Sequence, residues 1–366
     1  MLLSTHMKDL YHYIYEGEVF QKTSCLWHEN TMMDFFRSVL INLGYSPRDD
    51  IKKVWHRGDQ TVVICFADDI YTCRAPGSNA SLSEAFDRNT VVITDNRVLW
   101  PTMYQVLQLP ESYFGIYNYQ PQQHEWQPDR RFNFSVNRLD GKRMTLFLEL
   151  VSRTLKPNSR IFDLERDYVN FNCWHWNSTN DSTTAFQQNF KNEFKFVPNT
   201  YRTVYEAAYN HMLPLMPYRN HDFDFEQSQY HAWMNIVLET YAGESVIALS
   251  EKTFRALVTP VPWASYSTRH TVAYLKSLGF DVLTDLFDHA YDVRLENELA
   301  KFGDKLVDFY HLAATCVDKL KTKNFDTIKQ RCQQAADHNQ SRLAEMQVAW
   351  PMDFANWLPT AIDKIK

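Results

Sequence analysis

The segment SEKTFRAL, residues 250–257, carries residue types that can bind a phosphate at the start of a helix. Ser250 is a good N-cap, and the backbone N–H groups of the first helical turn lie just beyond it. Lys252 adds a positive charge there, while Glu251 complements the helix dipole and can accept hydrogen bonds from sugar hydroxyls. A capped surface helix is the alternative interpretation. We therefore take the turn from Ser250 to Thr253 as a candidate anion site.

A second group of cations stands where a strand is predicted to turn into a helix. The sequence FNFSVNRLDGKR places Asn137, Arg138, Lys142 and Arg143 at this turn, which is a position that favours anions in α/β sheets. A solvated turn would have the same composition, so the alternative stays open here too.

Three carboxylates end apolar, β-branched runs in the first half of the chain. Asp68 and Asp69 follow the run TVVICFA, and Asp95 follows NTVVIT. A carboxylate at a strand end can act as a general base, and we rank Asp95 ahead of Asp69 and Asp68 for that role.

A metal site is a weaker prediction. Asp222 and Asp224 in HDFDFE form a DxD pattern, which elsewhere holds a divalent cation and a diphosphate. Three-residue patterns arise easily by chance, so we predict no metal ligand and no cofactor.

The sequence lacks the motifs of several common enzyme classes. Only nine glycines occur, and neither GxGxxG nor GxxxxGKS is present, which argues against a dinucleotide or Walker-type phosphate site. HExxH and GxSxG are also missing, so zinc-peptidase and hydrolase-elbow chemistry are not indicated.

The elements that must position these residues alternate between strands and helices. Residues 30–43 have helical spacing and end at Gly44, and the runs ending at Asp68 and Asp95 are predicted strands. In the second half we predict strands at FNFSVNR, HAWMNIVLET and VPWASYS, helices at SEKTFRALV and TRHTVAYLKSLGF, and a helical region over 294–346. This alternation predicts a mostly parallel sheet with ligands at the carboxyl ends of its strands.

The domain organisation follows from length and from one polar stretch. The chain of 366 residues suits two domains, and residues 117–131, with two prolines, are the best linker. We predict an N-terminal α/β domain over 1–125 and a C-terminal domain with C-terminal helices over 126–366.

Composition limits the partners and the compartment. The net charge is −6 with no basic stripe, so a polyanion is not the default partner, although Lys52, Lys53, His56 and Arg57 could form a local positive face. The six scattered cysteines indicate a reducing compartment. We see neither a signal peptide nor a membrane span, and we predict a cytoplasmic protein.

The C-terminal motifs together resemble a known group. FNFSVNRLDGKRMTLFLEL, then VLETYAGESVIALSEKTFRALVTPVPWASYSTRHTVAYLKSLGFD, then LFDHAYD, resemble the viral and bacterial glycosyltransferases related to α1,3-fucosyltransferases. The resemblance covers about residues 131–345 and is most specific over 237–292. The sequence departs from the group at VPWASYS, which replaces the usual apolar run and glycine.

The resemblance implies a GT-B architecture, with two Rossmann-like domains facing a cleft, and metal-independent, inverting sugar transfer. The domain over 1–125 would then bind the acceptor and the domain over 126–366 the nucleotide sugar. A chain encoded by a virus would act in the host cytoplasm. Arg143, or Arg138, and Lys252 would neutralise the donor diphosphate, Glu251 would face the donor sugar or ribose, and Glu239 would contact the sugar. The donor would be a nucleotide-diphosphate sugar, and the acceptor a glycan or a hydroxymethylated pyrimidine in phage DNA. The rival hypothesis is a non-catalytic glycan- or nucleic-acid-binding protein that keeps the two-domain shell.

Overall fold

The computed structural model describes part of the chain: residues 36–49, 53–65, 89–95, 97–98, 105–117, 119, 124–135, 229–239, 246–247, 249–290, 292 and 302–366. The chain divides into two compact units. Unit 1 is formed by Met1–Tyr119, Ser245–Glu251 and Gln340–Lys366, and unit 2 by Gln120–Glu244 and Lys252–Asn339. The predicted domains, 1–125 and 126–366, stay a prediction, and each unit is described by itself.

Unit 1 contains a five-stranded mixed sheet with the strand order β1-β2-β3-β4-β6. β1 (Ser46–Pro47), β2 (Val54–Arg57) and β3 (Gln60–Cys65) pair antiparallel, whereas β3, β4 (Thr90–Thr94) and β6 (Gln105–Gln108) pair parallel. The predicted strands at TVVIC and TVVIT are therefore confirmed as β3 and β4. Their valines and isoleucines are fully buried, as expected for strands covered on both faces.

A glycine ends the first helix of unit 1, as predicted. Helix α1 occupies residues 36–42 in the described part of the chain, and Gly44 adopts a φ of +84°. The Tyr45 N–H donates to Leu40 O and the Gly44 N–H to Ile41 O, which are the two bonds of a Schellman motif. Gly279, with a φ of +89°, ends helix α3 (Thr271–Ser277) of unit 2 by the same pair of bonds.

A short antiparallel pair joins two distant stretches of unit 1. β5 (Arg97–Val98) lies beside β9 (Val246–Ile247), with Arg97 opposite Ile247 and Val98 opposite Val246. The stretch that follows Asp95 therefore lies beside the stretch that leads to Ser250.

Unit 2 contains a three-stranded, fully parallel sheet with the order β10-β8-β7. The strands are β7 (Arg130–Ser135), β8 (Ala232–Leu238) and β10 (Trp263–Tyr266), and helix α2 (Glu251–Val258) and helix α3 (Thr271–Ser277) flank β10 in the chain. These strands and helices were all predicted. The class is mixed α/β with a parallel-rich sheet and C-terminal helices.

The second half of the predicted linker is packed, contrary to expectation. Trp126 is buried, and its Nε1 donates to Ala232 O at 2.7 Å. The Gln127 N–H donates to Tyr230 O, and β7 already begins at Arg130. The residues around Trp126 are polar, and for this reason the sequence predicted a linker. The segment is packed because the single buried tryptophan anchors it.

Two long helices complete the described chain. Helix α4 covers Phe302–Lys321 and helix α5 covers Phe325–Ile365, so the helical region extends beyond the predicted residue 346. Pro351 and Pro359 lie inside α5, where proline normally disfavours a helix. Burial of Trp350, Phe354 and Leu358, spaced four residues apart on one face, compensates for that cost.

Helix α5 contributes to the core of each unit. In unit 1, Phe354 packs against Phe36, and Trp350 packs against Tyr113 with ring centroids 5.1 Å apart. In unit 2, the buried Asn339 donates to Leu257 O at 2.8 Å and to Asp281 O at 2.9 Å. Asn339 thereby fixes the last turn of α2, whose first turn carries the candidate anion site. None of the helices in the described ranges is long and apolar enough to cross a membrane.

The closest approach to α5 in unit 1 yields a stability prediction. A Cβ added to Gly115 would lie within about 2.5 Å of the backbone of Met346 and Gln347. We expect Gly115→Ala to lower the free energy of unfolding by about 3 kcal/mol, measured by denaturant unfolding, because helix backbone cannot yield as a side chain can.

The matched control is Gly58→Asn. Gly58 has a φ of +58° but open space around its Cβ position, and asparagine tolerates this conformation. Its cost should stay below about 1 kcal/mol. Equal costs at the two glycines would show that the contact with α5 is not what requires Gly115.

Candidate functional site

The best-defined feature of the candidate site is a buried carboxylate at the carboxyl end of the central strand of unit 2. Glu239 follows β8 directly and is only 5% exposed. Its Oε1 accepts a hydrogen bond of 2.5 Å from the Oγ1 of Thr253, which is fully buried in the first turn of α2. One side-chain bond therefore joins the end of β8 to the start of the helix that sequence analysis selected.

The other predicted residues of this turn directly precede Thr253 in the chain. Helix α2 begins at Glu251, so Ser250 occupies the predicted N-cap position. Ser250, Glu251 and Lys252 are half-buried, whereas Thr253 and Phe254 are fully buried. The polar residues of the turn thus keep access to solvent while the following residues anchor the helix.

The start of α3 lies beyond the neighbouring strand β10, and an internal carboxylate already binds it. The oxygens of Asp292 accept from the backbone N–H groups of Val272 and Ala273, each at 3.0 Å. Burial raises the pKa of the Asp292 carboxyl, and the two backbone donors partly oppose that shift. The first turn of α3 is consequently satisfied from within the protein.

Sequence analysis missed the role of this carboxylate. Asp292 ends the LFDHAYD stretch, which was used for the sequence prediction only as part of the family resemblance. The structure shows it as the cap of α3, and the nearby His270 adopts a φ of +65° and is exposed. The sequence signal for this cap is an aspartate at the end of an aromatic-rich stretch, and the sequence does not show that the aspartate is buried.

In unit 1, the described candidate base lies at the carboxyl end of a parallel strand. Asp95 directly follows β4 and is 4% exposed. It precedes Arg97 of β5 by two residues, and Leu249, also buried, follows Ile247 of β9 by two. The β5–β9 pair therefore brings the segments that carry Asp95 and Ser250 together.

Several predicted residues lie outside the described ranges. These are Asp68, Asp69, Asn137, Arg138, Lys142 and Arg143, together with the Asp222–Asp224 pattern. Their proposed roles stay predictions. Within the described ranges, no group of three or more histidine, cysteine, aspartate or glutamate side chains is placed to hold a metal ion.

Of the predicted positive face of Lys52, Lys53, His56 and Arg57, Lys52 lies outside the described ranges, and His56 and Arg57 have contacts within unit 1. The Arg57 guanidinium donates to Leu43 O at 3.1 Å and to Lys366 O, and it lies 4.7 Å from the ring centroid of Tyr45. His56 Nδ1 contacts Thr61 Oγ1 at 3.0 Å. The guanidinium therefore serves the packing of unit 1, which leaves less of its charge for a nucleic-acid phosphate.

Comparison with known proteins identifies no relative: the chain matches no protein-family model, no curated protein and no solved structure.

The bond between Glu239 and Thr253 yields a prediction on stability. Thr253→Val keeps the volume and removes the hydroxyl donor from a buried carboxylate, so we expect a loss of about 2 kcal/mol in the free energy of unfolding. Thr360→Val, at an exposed position of α5, is the control and should change stability by less than about 0.5 kcal/mol. If both variants unfold alike in urea, the bond does not hold the start of α2.

Proposed function

We propose that this chain is a glycosyltransferase that moves a sugar from a nucleotide-diphosphate sugar to an acceptor hydroxyl. The observation that carries the proposal is the start of α2, where Ser250 and Lys252 stand beside the bond between Thr253 and Glu239 at the end of a parallel strand. Ligands of parallel α/β sheets bind at this edge. A GT-B architecture is part of the proposal.

The leaving group explains why a cation at a helix start would matter. As the bond between the anomeric carbon and the phosphate oxygen breaks, negative charge grows on the diphosphate. Backbone N–H groups and Lys252 would stabilise that charge without a metal ion, and Arg143, or Arg138, would add a second cation. Glu251 and Glu239 would accept hydrogen bonds from hydroxyls of the donor.

The acceptor needs a base, and Asp95 is our first choice. In an inverting transfer, the acceptor oxygen attacks the anomeric carbon as the diphosphate departs, and a carboxylate takes the hydroxyl proton. Support comes from the β5–β9 pair, which brings the segment carrying Asp95 to the segment leading into α2. Asp69 and Asp68 are the alternatives.

The acceptor is proposed to be a glycan rather than phage DNA carrying hydroxymethylated pyrimidines. The chain has a net charge of −6, and proteins that bind DNA rely on clustered cations that meet phosphates. Arg57, one of the four residues of the predicted positive face, is held by two backbone carbonyls and the ring of Tyr45.

The decisive experiment tests Lys252. Thermal shift with UDP-glucose, GDP-mannose and GDP-fucose finds the donor, because a ligand stabilises the fold in proportion to its occupancy. With that donor, Lys252→Ala should slow transfer by about one to two powers of ten, since a charge-assisted bond to the diphosphate is lost. Thermal stability without donor should stay unchanged.

Lys276→Ala is the matched control, since Lys276 is exposed in the last turn of α3. It should transfer sugar as the parent does. If Lys252→Ala also keeps parental binding and transfer, α2 is not the donor site. Donor binding by the parent with no transfer to any acceptor would instead identify the non-catalytic alternative.

The proposal also predicts how transfer responds to a chelator. Transfer should persist in EDTA, because side chains and a helix start neutralise the diphosphate. Loss of activity in EDTA that manganese restores, and that Asp222→Ala abolishes, would establish the DxD pattern as a metal site and overturn this part of the proposal.

A further inference from the structure

Unit 1 contains an open pocket at the edge of its sheet opposite to Asp95. The pocket measures about 470 Å³, which is within the usual range for small-ligand sites. It is lined by the first residues of three parallel strands, Gln60 of β3, Thr90 of β4 and Gln105 of β6, and by the last residue of β2, Arg57. Asp59 and Asn89 complete the polar lining.

The amide of Gln60 is oriented before any ligand arrives. The Arg57 guanidinium donates to its Oε1 at 3.3 Å, and the same oxygen contacts the Tyr45 hydroxyl, which also contacts Ile365 O. Because this oxygen faces Arg57 and Tyr45, the NH₂ group of the amide is directed away from them. Gln60 is half-buried and lines the pocket, so its amide can serve there as a donor.

Acceptors and further donors stand around this amide. Asp59 and Gln105 are exposed, and neither side chain forms a hydrogen bond or ion pair within the part of the chain that the structure describes. Among the lining residues that the structure describes, one is a cation and one a carboxylate, so their formal charges cancel. A pocket of amides, a carboxylate and a neutral balance suits a ligand that both donates and accepts hydrogen bonds and carries no charge.

From this arrangement we infer that the pocket binds a neutral saccharide outside any catalytic centre. Adjacent hydroxyls of a sugar donate to Asp59 and accept from Gln60 Nε2, while the Gln105 amide can do either. The amino ends of parallel strands are not where α/β enzymes perform chemistry. The inference does not depend on sugar transfer by this chain.

The test uses the full chain and saturation-transfer NMR with glucose, galactose and mannose at millimolar concentration. At least one of them should show transfer from the protein. Asp59→Asn, which replaces a charged acceptor with a neutral amide, should weaken the affinity for the hexose at least about tenfold. Adding Gln105→Ala to this variant should weaken the affinity further.

Asp353→Asn is the matched control, because Asp353 is an exposed aspartate on α5 of the same unit and does not line the pocket. It should bind the sugar as the parent does. The inference fails if no hexose binds the parent, if Asp59→Asn binds it equally well, or if glucose 6-phosphate binds through this pocket and glucose does not. Lys252→Ala should keep the hexose signal, which separates this result from the outcome for the donor site.

Discussion

The candidate site depends on the need of a buried carboxylate for hydrogen-bond donors. Glu239 is almost fully removed from water, and an isolated charge in such a place would cost more than a domain can tolerate. Thr253 supplies one donor from the first turn of α2. The position of the helix start relative to β8 is therefore set by a polar bond at the strand end, while Phe254 of the same turn packs against Phe280.

The last turn of α2 is also fixed by side-chain hydrogen bonds. Asn339 donates to the carbonyl of Leu257 in the last turn of α2 and also donates to and accepts from the backbone of Asp281. Arg331 precedes Asn339 in α5 and binds Asp281 and Asp285. Its hydrogen bonds hold the pKa of the Asp285 carboxyl below its usual range. Both ends of an eight-residue helix are thus constrained by side chains that lie far away in sequence.

Sequence reasoning found the elements because their signals are local. Each of these signals spans only a few residues. They are the β-branched runs of β3 and β4, the helical periodicity of α2 and α3, and the glycines after α1 and α3. The packed stretch around Trp126 and the extension of α5 past Pro351 depend instead on partners elsewhere in the chain. Such tertiary compensation leaves no local pattern, and this is why a linker was predicted where the chain packs along β8.

The same distinction applies to the candidate site. Ser250 and Lys252 could be selected from the sequence because capping and charge are local properties of a helix start. The contact of Thr253 with Glu239 and the pairing of β5 with β9 could not, because each joins residues separated by 14 or more positions. Two-residue strands such as β5 and β9 are too short for periodicity to identify them.

The two helices that flank β10 in the chain differ in how their first turns are neutralised, and this difference bears on which of them can receive an anion. α3 accepts an internal carboxylate, Asp292, on two of its N–H groups, and a second negative charge there would meet repulsion in a buried setting. α2 begins after Ser250, carries Lys252 in its first turn, and is joined to the carboxylate of Glu239 through the Thr253 hydroxyl. A phosphate at α2 would meet a cation, whereas at α3 it would have to displace an aspartate. The chemistry of the two helix starts, rather than their similar place in the chain, is what assigns the proposed donor site to α2.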